Sequence, residues 1–293
     1  MHSKGKRFKT AVRESAPLPV LGTINAYAAM LAERAGAQAL YLSGAGVANA
    51  SFGLPDLGMT GLSDVVEDAR RITDATNLPL LVDIDTGFGH ELCVARTVKT
   101  MERAGVAAVH IEDQRAMKRC GHRPHKQLVS PEIMGDKIKA AVDARVDPNF
   151  VIMARTDAYA VEGLQSALER IEYYIELGAD MIFPEALTTL EEYQWFTKAS
   201  HVPVLANITE FGRTPLFTRA QLQEVGIGLM LYPLSAFRAM SMAALDVYTT
   251  ILEEGSQASL LHTMQTREAL YDVLDYHRYE ETLDREREQE DDE

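Results

Sequence analysis

Leu80-Leu81-Val82-Asp83-Ile84-Asp85-Thr86-Gly87-Phe88-Gly89 decides the fold. Its first three residues are apolar without alternation, so both faces of the segment must be buried, and carboxylates and glycines follow at once. A short run buried on both faces belongs to a parallel strand covered by helices, not to a half-exposed antiparallel one. Val151-Ile152-Met153, leading to Arg155 and Asp157, repeats the pattern. Working outward, strands are predicted near Val20–Asn25, Ala39–Ser43, Leu78–Asp83, Ala107–Glu112, Phe150–Arg155, Asp180–Pro184, Val202–Asn207 and Gly228–Tyr232. Helical periods lie between them, over Ser63–Thr76, Cys93–Ala104, Glu132–Arg145, Leu164–Leu177 and Leu190–Ala199. Gly36, Gly105 and Gly178 stand where helices should close,. Eight β/α units in 293 residues predict a single α/β domain, a (β/α)8 TIM-type barrel over residues 1–257,. An open doubly wound sheet is the alternative, weakened because no G-x-G-x-x-G follows the first strand,.

Composition narrows the function classes. The formal charge of −14 argues against a nucleic-acid partner, which requires a basic face,. Nine acidic and two basic residues in Glu280–Glu293 carry half of that charge, and this tail reads as solvated and poorly ordered,. Two cysteines, Cys93 and Cys120, cannot build a disulfide framework and point to a reducing compartment,. The charged stretch Met1–Pro17 has no signal-peptide core, and no run approaches the ~20 apolar residues of a membrane span,. The expectation is a cytoplasmic protein without membrane association.

In a parallel barrel the active site lies at the C-terminal strand ends. Those ends carry Asn25, Ser43, Asp83 with Asp85, Glu112 with Asp113, Arg155 with Asp157, Glu185, and Asn207 with Thr209, with Arg238 beyond the last strand. The opposite turns are simple: Gly-Ala-Gln, Asn-Leu-Pro, Gly-Val-Ala. Three or four carboxylates converging without His or Cys suit a hard cation, Mg²⁺ first and Mn²⁺ second. Salt bridges or helix caps are the bland reading of an isolated D-x-D.

Cys120 sits in Lys118-Arg119-Cys120-Gly121-His122-Arg123, a cationic setting expected to lower a thiol pKa from ~8.5 toward neutrality and to suit acid–base work,. Gly121 suits a moving loop. Ser43-Gly44-Ala45-Gly46 can present successive N–H groups to a carboxylate, a weak signal alone,. Arg155 and Arg238 offer bidentate grips, so a small polycarboxylate substrate is implied. No predicted strand carries a lysine, which leaves a Schiff-base aldolase without a nucleophile,.

Lys118 to His122 resembles the K-[KR]-C-G-H signature of the isocitrate lyase and methylisocitrate lyase group, within the phosphoenolpyruvate mutase superfamily. The likeness runs from about Lys9 to Tyr279. It includes Gly22-Thr23-Ile24-Asn25, Tyr41-Leu42-Ser43-Gly44, Gly53-Leu54-Pro55-Asp56, Asp83 to Gly89, Ala206 to Gly212 and Leu231 to Arg238. The resemblance implies a Mg²⁺-dependent carbon–carbon lyase. Asp83 and Asp85 would hold the metal, with Asp56 and Glu112 in its water-mediated shell. Substrate would meet Ser43, Gly44, Ala45, Cys120, Gly121, Arg155, Glu185, Asn207, Ile208, Thr209, Arg238 and Arg267. Cys120 would protonate the departing carbanion beside His122, and Tyr41 would be the base.

Isocitrate lyases are longer and tend to carry tryptophan and threonine around the glutamate that here lies in Phe183-Pro184-Glu185-Ala186. The resemblance therefore favours cleavage of (2S,3R)-2-methylisocitrate to pyruvate and succinate, in propionate breakdown by the methylcitrate cycle. Other lyases or hydrolases of the superfamily, acting on isocitrate, a malate derivative or oxaloacetate, and a non-catalytic barrel are the competing readings. The resemblance further implies a homotetramer that exchanges C-terminal helices, with residues 258–279 packing on a neighbouring subunit. Two departures stand out. Ala45 occupies a position where the family often has glycine, and Gly87–Leu92 is one residue shorter than in some relatives.

Overall fold

Eight parallel strands are laid down as β1 (Leu18–Gly22), β2 (Leu40–Leu42), β3 (Leu80–Asp83), β4 (Ala108–Glu112), β5 (Val151–Thr156), β6 (Met181–Pro184), β7 (Leu205–Asn207) and β8 (Leu229–Tyr232). They run β6-β5-β4-β3-β2-β1-β8-β7 in one sheet. A parallel bridge at Ile182 and Val204 brings the outer strands together, giving a nearly closed (β/α)8 barrel,. The computed structural model describes residues 3–291. Residues up to Phe237 form one unit and those from Arg238 form a second, a boundary twenty residues earlier than the one expected at 257.

Two apolar layers hold the first unit. Leu40, Leu42, Leu80, Val82, Val109, Ile111, Ile152 and Ile182 face the surrounding helices. Leu18, Val20, Leu81, Val151, Met153, Phe183 and Leu229 fill the barrel. This division is the physical reason why β3 and β5 read as apolar throughout. The helices start and stop where their caps dictate. Ser130 precedes Pro131–Ala144 with proline at its first turn, and Thr189 and Glu192 form a reciprocal capping box for Leu190–Ala199,. Gly36, Gly105 and Gly178 close their helices at φ values of +92°, +77° and +101°, as expected,.

The basic N-terminal stretch is a helix, Lys4–Glu14. Phe8 and Val12 enter the inner core beside Leu18, so this helix plugs the barrel at the end opposite the polar strand termini. Full burial of a phenylalanine contributes roughly 1.5–3 kcal/mol. Gly5 is needed there because a Cβ would fall 2.2 Å from the Asn149 carbonyl oxygen.

Past residue 238 the chain is helical. Ser235–Glu254 leads into it, followed by Arg267–Leu274 and Tyr276–Asp291, with Asp275 in the left-handed region between the last two. The acidic tail, expected to be poorly ordered, is thus helical to Asp291. Among the described residues of these helices none is buried. Among the described residues no helix is long and apolar enough to cross a membrane.

Candidate active site

Strand register builds the centre of the site. Glu112 pairs with Arg155 across β4 and β5, and Asp83 pairs with His110 across β3 and β4. Arg155, almost wholly buried, lies 3.0 Å from Asp157, 3.2 Å from Glu112 and 3.4 Å from Glu185, and its guanidinium stands 5.1 Å above the Phe183 ring. Asn207 Nδ2 donates to Glu185 at 3.3 Å, while its Oδ1 has no partner. Thr209 is buried near Gly212, which also lies against His122.

Asp83 and Asp85 close the other side. β3 ends at Asp83, and Asp85 turns through φ +47°, so extended geometry does not persist as expected. The carboxylates nonetheless face one cleft: a methyl group on Gly44 would lie 3.1 Å from both Asp83 Oδ2 and Asp85 Oδ1. Gly44 N–H donates to Asp83 at 3.1 Å, so in this arrangement it serves the aspartate and not a ligand carboxylate. Ala45 has ordinary helical backbone, which removes the concern raised by the missing glycine. Asn25, by contrast, caps Ala26–Arg34 by accepting from Ala28 N–H.

The expected convergence of three or four carboxylates does not occur. Glu112 faces Arg155 and Gln114, and Asp113 points the other way, accepting from Thr156 and Tyr174 beside Arg170. Among the described residues no group of three or more His, Cys, Asp or Glu side chains is placed to chelate a metal. Magnesium asks for less: one or two carboxylates, with water and substrate completing its octahedron. The Asp83–Asp85 pair fits that demand. Burial and then the Asp83 charge push the Asp85 carboxyl up to about 6, a repulsion that a hard cation relieves,. Burial opposes ionisation of Asp83 too, but His110, Lys118 and Arg155 outweigh it and hold that carboxyl below the usual range. Six carboxylates around the cleft (Asp56, Asp83, Asp85, Glu112, Asp157 and Glu185) stand against the cations Lys118, Lys126 and Arg155.

The Cys120 loop meets this cluster. Lys118 is buried, paired with Asp56 and lying 2.7 Å from Asp85. Gly121 is pressed so closely on the site that a Cβ would fall 2.0 Å from Glu185 Oε1 and 2.5 Å from Arg155 Nη2. Close approach, and not flexibility, is what this position demands. His122 accepts from Arg213 N–H at 3.0 Å and lies 3.6 Å from Glu185. The expected lowering of the thiol pKa is reversed. Crowding by protein atoms raises it, and Glu185 and Asp56 add to the shift, because the lysine and histidine turn to carboxylates instead. Burial likewise pushes the Tyr41 hydroxyl well above its usual value, with Asp83 adding to it; this works against Tyr41 as a ready base.

A phosphoenolpyruvate phosphomutase family model matches residues 8–252. The chain belongs to that family. Within it the chain groups with the 2-methylisocitrate lyases: that of Vibrio cholerae serotype O1 is 59% identical over 96% of this chain and 94% of the relative. Among solved structures, 2,3-dimethylmalate lyase superposes with a TM-score of 0.88 at 31% identity, covering 96% of this chain and 95% of that one. Phosphonopyruvate hydrolase, solved with oxalate and Mg²⁺, gives 0.83 at 28%, covering 95% and 97%.

Not every residue expected at the site turns its side chain to the cleft. Ile208 does not present its side chain to the cleft; it packs in the outer core and donates its N–H to Leu231. Arg238 and Arg267 belong to the second unit. Sequence reasoning missed His110, which stacks on Tyr41, lies 3.0 Å from its hydroxyl, and is held near pKa 4 by burial against the pull of Asp83. A lone histidine within Ala-Val-His-Ile-Glu reads as core. Changing Gly121→Ala is expected to lower kcat by about 10²-fold through displacement of the loop, since misplacements near 1 Å have that cost. Steady-state kinetics beside a thermal melt check it; a parental kcat would show that the loop yields.

Proposed function

We propose that the protein is a 2-methylisocitrate lyase, cleaving (2S,3R)-2-methylisocitrate to pyruvate and succinate in the methylcitrate cycle of propionate breakdown. The observation that carries this reading is the placement of the Cys120-Gly121-His122 turn directly on the Arg155–Glu185 pair, opposite the Asp83–Asp85 carboxylates. One side of the cleft can grip a polycarboxylate, the other can hold a cation, and a proton donor stands at the mouth. Mg²⁺, or Mn²⁺ in its place, would be held by Asp83 and Asp85 with Asp56 and Glu112 near by. When bound it would polarise the hydroxy-acid and offset the charge left by loss of its hydroxyl proton.

The chain's own residues do the rest. Arg155, relieved in part by Glu112, Asp157 and Glu185, orients a substrate carboxylate, with Ser43, Asn207 and Thr209 completing the pocket. Tyr41 and His110 form a hydrogen-bonded pair beside Asp83, in which the Tyr41 hydroxyl passes its own proton to the neutral imidazole as it takes up the substrate hydroxyl proton. Breaking the C2–C3 bond leaves the electron pair on the succinate carbon, and the Cys120 thiol returns one proton there, so protons balance. A thiol whose pKa is raised keeps that proton until it is needed,. Phe183, fixed against His110 and Arg155, leaves more room than a tryptophan for the substrate methyl, a preference worth about 1–3 kcal/mol,.

Exposed Met242, Leu245, Tyr248 and Leu252 support assembly of the second unit with copies of the chain, as in the homotetramer with exchanged helices,. Nuclear magnetic resonance of a reaction with 2-methylisocitrate and Mg²⁺ tests the proposed chemistry: pyruvate and succinate are expected in equal amounts. Unequal products would refute the cleavage.

A further inference from the structure

We propose that Lys126 is a positioning residue that clamps the cysteine loop to the barrel wall. Its ammonium, on an almost wholly buried side chain, donates to the Gly121 carbonyl at 2.6 Å and to Asp157 Oδ1 at 2.5 Å. A buried lysine is tolerated when paired, and here both partners are buried,.

Asp157 is a rigid anchor. Its N–H donates to Asp113, its second oxygen accepts from Arg155, and Asp113 is held in turn by Thr156, Tyr174 and Arg170. The loop is clipped at its base, where Gln114 bridges Leu128 and Arg115 N–H donates to the Gln127 carbonyl. That ladder does not reach the tip. At the tip a turn joins Arg123 N–H to the Cys120 carbonyl, and Lys126 is the side chain that ties the next carbonyl, Gly121, to β5. Since Gly121 has no side chain and lies against Glu185 and Arg155, the length of this clamp sets how deep the turn sits and where the Cys120 thiol is presented.

The catalytic consequence rests on reading Cys120 as the proton donor; the structural one does not, and the two are measured separately. Lys126→Met keeps the length and apolar stem but not the charge or the donors. It is expected to lower kcat by about 10- to 100-fold, as for other losses of alignment, with KM within about threefold because no substrate contact is removed. Cys120 is already exposed, so its carboxymethylation by iodoacetate, followed on its own peptide by mass spectrometry so that Cys93 is distinguished, reports the setting of the turn and is expected to accelerate roughly fivefold as the turn leaves the barrel wall. Lys139→Met, at an exposed lysine paired with Asp143, is the control and leaves both readouts unchanged. If Lys126→Met does not accumulate as folded protein, Lys126→Gln, whose shorter neutral amide cannot hold the Gly121 carbonyl and Asp157 together as the ammonium does, is read in the same way. An unchanged alkylation rate overturns the clamp. Faster alkylation with a parental kcat keeps the clamp and overturns the reading of Cys120 as the acid.

Discussion

A Cys120→Ser protein is expected to bind substrate with nearly parental KM and to turn it over at least ~10²-fold more slowly, the contribution general acid catalysis commonly makes. Crowding and the nearby Glu185 and Asp56 charges raise the thiol pKa, so Cys120 enters the reaction protonated and donates to a far more basic carbanion. A serine hydroxyl has similar size but is a weaker acid by several orders of magnitude, and it inherits the same carboxylate neighbours. The loop itself should hold, because Gly121 accepts from Lys126, His122 meets Glu185 and Arg213 N–H, and a serine hydroxyl can accept from the His122 N–H as the sulfur does. A thermal melt close to that of the parent would accompany the kinetic loss. Full activity in this variant would remove the cysteine from the mechanism.

Arg155→Leu should have the largest effect on the folded state. The guanidinium is buried among Glu112, Asp157 and Glu185, all nearly inaccessible to water. Removing it leaves buried carboxylates uncompensated, a change that typically costs 3–5 kcal/mol. Urea unfolding at pH 7 measures the loss directly. The pH dependence has a definite sign. Burial already pushes Glu112 well above the ordinary carboxylate range, with Arg155 holding it back. Without the arginine the folded protein binds protons more tightly than the unfolded chain, so the variant regains stability as pH falls below neutrality. A loss independent of pH would mean that the arginine acts through packing on Phe183 instead. Activity should be lost at every pH.

Much of this arrangement was legible from residues alone, for reasons that can be named. β3 and β5 are buried from both sides, one face toward the helices and one toward the barrel interior, and their unbroken apolar runs record that. The polar strand ends record the active face. Asp113 shows what was legible and passed over. Strand side chains alternate, so Glu112 and its neighbour cannot both point into the cleft; Asp113 instead anchors Asp157 from outside the barrel. The thiol was misjudged because sequence proximity to Lys118 and His122 says nothing of where those cations turn. Lys126 and His110 were invisible for a different reason: one lies outside the signature and the other inside an apolar strand, and only the packing reveals their partners. The N-terminal helix hid behind its lysines and arginines, although Phe8 and Val12 lie one turn apart on a single face,.

The central claim is the substrate, and a competition assay tests it most directly. Equal concentrations of 2-methylisocitrate and isocitrate would be presented together to the protein with Mg²⁺, and separately after EDTA treatment, with pyruvate and glyoxylate followed in the same reaction. Pyruvate should dominate, both products should vanish with EDTA, and added Mg²⁺ should restore pyruvate. Predominant glyoxylate would contradict the assignment and show that Phe183 does not select for the methyl group; undiminished turnover in EDTA would contradict the role given to Asp83 and Asp85.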